Sequence, residues 1–174
     1  MSLTMPATCQ TELATINPPA PDELTYSLTL PTGPATPAIA RAATRRILAE
    51  HGLQSLTDAA VQTVGELTAT ACQFTPTSEV YVSLRYREGA LRVILYDGHP
   101  RHANPRLAAQ CDARRRASLR LLACVVRTCK GEWGFGDARE PSGGTRMWAV
   151  LPHASTATYG QLAVSRAPLA HAAG

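Results

Sequence analysis

Apolar and polar positions alternate over Leu24 to Leu30, with Leu24, Tyr26, Leu28 and Leu30 on one face, which predicts a strand. Pro31, Gly33 and Pro34 break it. The period then changes. Ile39, Ala43, Ile47 and Leu48 predict a helix from Thr36 to His51, with Thr36 as N-cap, Pro37 at the first helical position and Gly52 past the end. A second helix is expected from Asp58 to Phe74, capped by Thr57, with Ala60, Val64, Leu67 and Ala71 as its apolar stripe. Glu66 and Thr70 lie one turn apart on this helix, and Phe74 extends their side by another turn.

Alternation returns after Pro76. Val80, Val82, Leu84 and Tyr86, then Leu91, Val93 and Leu95, predict a β-hairpin turning at Glu88, Gly89 and Ala90, with Asp97 and Gly98 ending its second strand. Residues 99 to 116 show no clear period and read as a long connection of the lid type. Leu119, Leu122, Val126 and Cys129 predict a third helix from Ser118 to Lys130, with Ser118 as N-cap and Gly131 past its end. A short strand around Trp133, a turn-rich loop from Gly136 to Gly144, and a closing strand from Thr145 to Leu151 follow. The order implies an α+β, two-layer sandwich, a mixed and mainly antiparallel sheet covered on one face by three helices. The expected domain runs from 24 to 152, with a disordered tail at 1–23 and a flexible tail at 153–174.

Composition narrows this little. The chain has 174 residues and 45% hydrophobic content, enough for one domain with its own core. Its net charge of +4 raises the question of nucleic acid, but the arginines are scattered and only Arg114, Arg115 and Arg116 are contiguous, so nucleic acid is not the expected partner. The five cysteines are odd in number and form no CxxC pair, which argues against a zinc site or a disulfide framework. His99 and His102 are close in sequence, but no third metal ligand is evident beside them, and they read as ordinary loop residues. No signal peptide or bilayer-length apolar run is visible, so a cytoplasmic protein without membrane partners is expected.

Five segments in order carry a resemblance: VGELTATACQF in the second helix, LRVILYDG at a strand end, the lid followed by a helix, EWGF, and GGTRMWAVLP at the close. Together they resemble the histidine-kinase-type ATPase domains (the Bergerat-type ATPase fold), and within them the bacterial anti-sigma-factor serine/threonine kinases. The resemblance covers about Leu24 to Pro152 and implies ATP with Mg²⁺ as cofactors. It makes Glu66 the catalytic base or orienting carboxylate, Asp97 the acceptor for the adenine amine, and Thr145, after Gly143 and Gly144, its helper in reading adenine. Thr70 stands where the family carries the asparagine that ligates Mg²⁺. Gly98 follows Asp97 by one residue, where the family's glycine follows by two. The family's lid has a Gly-x-Gly step, whereas no glycine lies between Gly98 and Gly131. Phosphate handling would then fall to Arg114 to Arg116 and the expected helix start at Ser118. The resemblance therefore implies an ATP-binding regulatory protein with impaired phosphate handling. The alternative is a catalytically inactive docking module of a sigma-factor partner-switching system. A sigma factor, an anti-anti-sigma factor and a second copy of the chain are the implied partners.

Overall fold

The structure, a computed structural model, describes residues 17–138 and 143–159. The expected tails at 1–23 and 153–174 fall mostly outside these residues, as does part of the Gly136 to Gly144 loop. Five strands form: β1 (Thr25–Pro31), β2 (Glu79–Arg87), β3 (Ala90–Asp97), β4 (Glu132–Asp137) and β5 (Thr145–Pro152). They form one open sheet in the order β1-β2-β3-β5-β4, and every neighbouring pair is antiparallel. The β2–β3 turn has positive φ at both Glu88 (53°) and Gly89 (69°), the left-handed geometry whose twist matches that of a hairpin. It pairs Arg87 with Ala90, and this register puts Val80, Val82, Leu84, Leu91, Val93 and Leu95 on one buried face.

Helices cover that face. α1 (Thr36–Glu50) packs on α2 (Thr57–Phe74), and α2 lies on β3 and β5. The stripe Ala60, Val64, Leu67 and Ala71 is buried as its spacing predicts, so truncating Leu67 to alanine should cost about 2–5 kcal/mol. Neither expected N-cap acts as one. Thr36 lies inside α1 and its hydroxyl donates to the Pro31 carbonyl, while α2 begins at Thr57 itself without a side-chain cap.

The largest departure from the sequence reading lies in residues 99 to 116. They do not form one long connection, because α3 (Pro105–Ser118) occupies most of the stretch. Asn104 caps it, its Oδ1 accepting from the backbone N–H groups of Arg106 (2.9 Å) and Leu107 (3.4 Å), and Pro105 fills the first turn. The helix has no apolar stripe. Its only buried residue is Arg115, so the periodicity that reveals a helix is missing. The expected Ser118 to Lys130 helix is accordingly shorter: α4 runs from Arg120 to Thr128, and Ser118 ends the helix before it.

The core reaches slightly beyond the expected bounds. A turn of helix at Pro21–Glu23 precedes β1, and the buried His51 ring meets the Ala20 carbonyl (2.8 Å) and the Tyr26 hydroxyl (3.1 Å). The short α5 (His153–Thr156) follows β5, where the His153 ring meets the Tyr86 hydroxyl (2.7 Å) and Ser55 Oγ (3.0 Å). The opposite sheet face carries exposed Tyr81, Arg85, Arg92 and Arg146 around half-buried Ile94, Tyr96 and Trp148. Among the described residues no helix is long and apolar enough to cross a membrane.

Candidate functional site

The helix-facing side of the sheet is apolar along most of its length and turns polar at one end. There the register aligns Asp97 of β3, Thr145 of β5 and Asp137 of β4 in one row. Asp97 is deeply buried and each oxygen of its carboxylate accepts one hydrogen bond. Oδ1 accepts from the backbone N–H of His99 at 2.9 Å, and Oδ2 accepts from Arg115 Nη1 at 2.7 Å. The Arg115 and Asp97 side chains are 3% and 0% exposed. The guanidinium stacks on the Phe74 ring at 4.5 Å, and its Nη1 lies 3.2 Å from Met147 Sδ. Burying two charges costs several kcal/mol each, and this short, charge-assisted contact opposes that cost. Arg115 Nη2 is buried with no hydrogen-bond partner among the described residues, so half of the guanidinium fork remains uncompensated.

The residues singled out in the sequence are brought together only in part: Thr145, Arg115 and Arg116 line one cleft, and Glu66 and Asp97 are not in its wall. Glu66 is half-buried on α2 and accepts a hydrogen bond from Gln62 Nε2 at 3.2 Å. Thr70, one turn on, is buried. Asp97 faces the Arg115 side chain, where the sequence reading placed space for a purine. Thr145 is close to Asp97 as expected, but its hydroxyl donates to the His99 carbonyl at 3.0 Å. Gly98 donates its N–H to Thr75 Oγ1 at 3.0 Å. Gly144 has φ +95°, and a Cβ there would lie 2.2 Å from the Asp97 carbonyl oxygen, so the close backbone approach it permits is to β3 itself. Gly143, with φ +62°, has open space around it. Ser118 is corrected outright: it is the last residue of α3, not the start of a helix, and its Oγ donates to the Arg114 carbonyl at 3.2 Å. The helix start expected at Ser118 falls two residues later, at Arg120 of α4, with Leu119 as its N-cap and no side-chain cap.

A cleft of about 210 Å³ opens beside this pair, between the 99–104 segment, α3 and the ends of β4 and β5. Arg101, Arg115 and Arg116 line it together with Cys111, Asp112 and Phe135. Arg101 pairs with Asp137 at its rim, at 3.0 Å. Arg116 lies over the Phe135 ring at 5.4 Å. His99, His102 and Cys111 also line the cleft, and their ligand-capable atoms all fall within 4.8 Å of one another. Neither Glu66 nor Asp97 is part of its wall.

Sequence reasoning passed over Arg115 as the partner of Asp97 and Cys111 as a neighbour of His99. Both follow once residues 105 to 118 are helical, because Cys111 and Arg115 are then one turn apart on the same side. The Asn104–Pro105 pair was the available signal.

No protein-family model matches this chain, and no curated protein matches it.

Proposed function

We propose that this protein is a regulatory docking module of the histidine-kinase-type ATPase fold, similar to the anti-sigma-factor kinases, that binds protein partners and does not use ATP. One observation carries the reading: Arg115 holds the carboxylate that adenine would need. With Oδ1 on the His99 N–H, Oδ2 on Arg115 and no side-chain surface open to solvent, Asp97 is already served by donors of the protein itself where an adenine amine would have to approach. Thr70 in place of a longer amide adds to the same conclusion.

The open sheet face favours a protein as the ligand. Tyr81 and Tyr96 pair across the strands with ring centroids 5.9 Å apart, and Arg85 and Arg146 flank them without ion-pair partners among the described residues. Aromatic residues and arginine are the side chains enriched at protein interfaces, and this charge suits an acidic partner such as a regulatory protein of a partner-switching system.

Calorimetry of the full chain with ATP and with ADP, each with and without Mg²⁺, tests the proposal. No saturable heat from a folded sample is the expected result. Mg²⁺-dependent ATP binding that Asp97→Asn abolishes would return the protein to the nucleotide-binding class.

A further inference from the structure

We propose that His99, His102 and Cys111 form a binding site for a divalent transition metal of the zinc class, with one coordination position open to the cleft. The inference goes beyond the docking reading and does not depend on it. The sequence shows two histidines without a third ligand, and the fold supplies the third by bringing Cys111 of α3 against the 99–104 segment.

The distances suit a metal. Zinc binds thiolate at ~2.3 Å and imidazole nitrogen at ~2.0–2.1 Å, which under a tetrahedral angle separates sulfur and nitrogen by roughly 3.5 Å. Cys111 Sγ lies 3.4 Å from His99 Nε2. The His99 and His102 rings are 5.2 Å apart and nearly perpendicular, at 86°, so two ring nitrogens can converge on one point without stacking. All three side chains are half-buried, so an ion reaches them without unfolding.

The ligands are held before any ion arrives. The His99 backbone is fixed at both ends, its N–H on Asp97 Oδ1 and its carbonyl on the Thr145 hydroxyl. Cys111 is one helical turn from Arg115, which is anchored on the other oxygen of the same carboxylate. Asp97 thus positions both sides of the site. His51 and His153 form a contrast, since each has both ring nitrogens against hydrogen-bonding groups of the protein.

Two imidazoles and a thiolate are borderline-soft donors that select zinc over magnesium or calcium. Among the described residues no fourth histidine, cysteine or carboxylate joins the cluster, so water or a ligand in the cleft completes the shell, as in zinc sites with three protein ligands. Binding converts the Cys111 thiol to a thiolate and releases one proton to solvent, with no change of oxidation state.

The test uses the reduced, metal-free full chain titrated with Co²⁺, then Zn²⁺. The expected result is a thiolate-to-cobalt charge-transfer band with tetrahedral visible bands, both erased by Zn²⁺. Cys111→Ser should remove the charge-transfer band and weaken Zn²⁺ binding by about a hundredfold or more, since second-shell changes alone cost 10–100-fold. His102→Ala should weaken binding at least about tenfold. Cys124→Ser, altering an exposed cysteine on α4, should change neither. Circular dichroism confirms that each variant is folded. A wild type that shows no thiolate band, or a band that survives Cys111→Ser in folded protein, overturns the proposal and leaves a thiol–imidazole hydrogen bond.

Discussion

Arg115 Nη1 lies 2.7 Å from Asp97 Oδ2, and the pair joins the end of a central strand to a helix that otherwise buries nothing. This contact decides how the end of the sheet is read. A carboxylate at a strand end resembles a purine acceptor when only the sequence is visible. Paired with Arg115, whose guanidinium lies against Phe74 and Met147, it ties β3 to α3.

Gly144 is expected to be more sensitive than its neighbour. Both glycines have positive φ, but only at Gly144 would a Cβ meet backbone, 2.2 Å from the Asp97 carbonyl. Gly143→Ala should cost about 1 kcal/mol through its backbone conformation alone. Gly144→Ala should cost clearly more, because strands β3 and β5 must separate. Urea denaturation of the two variants side by side gives the ordering, and equal costs would show that the approach of the strands is not tight.

Asn104 caps a helix with little other support. Replacing it with alanine removes an acceptor for two backbone N–H groups and should cost about 1 kcal/mol. The loss should be local. Amide hydrogen exchange is expected to accelerate in the first turns of α3 while β2 and β3 stay protected. A uniform acceleration across the sheet would contradict the view that α3 is held chiefly by its cap and by Arg115.

Stability should fall at alkaline pH. Burial raises the Cys129 thiol above its ordinary 9.0, against a smaller opposing effect of the Thr156 hydrogen bond. Burial likewise raises Tyr86 and Tyr159 above 10.0, helped by the charge of Asp22 for the first and of Cys129 and Asp58 for the second. In each case the folded state retains the proton after the unfolded chain has lost it. Their contribution is complete below the ordinary values and declines as pH rises through 9.0 and then 10.0. Denaturation midpoints measured across that range should decrease, and Cys129→Ala should remove the earlier part of the decline. A flat profile in wild type would contradict the assignment.

Where one face of an element is buried, the sequence was readable. Val80 to Leu84, Leu91 to Leu95 and the stripe of α2 are periodic because their large apolar side chains are gathered on the side that faces the core, and the strands and helix they predict are present. α3 was not readable, because its single buried side chain is an arginine and hydrophobic period cannot register a charge. The same gap hid the site. Asp97 was a candidate and His99 read as an ordinary loop residue, while their partners Arg115 and Cys111 lie on the helix that showed no period. Caps also misled, since the Thr36 and Ser118 hydroxyls donate to nearby carbonyl groups and cap no helix.

The account depends on Arg115 occupying Asp97, and a double-mutant cycle on stability measures that directly. Arg115→Met leaves a buried carboxylate unpaired and should cost about 3–5 kcal/mol in denaturant unfolding. Asp97→Asn should also be costly, while the double variant should lose less than the sum of the two by at least about 1 kcal/mol. Additive costs, with a coupling energy near zero, would mean that the two side chains do not share this contact, and would free Asp97 for another ligand.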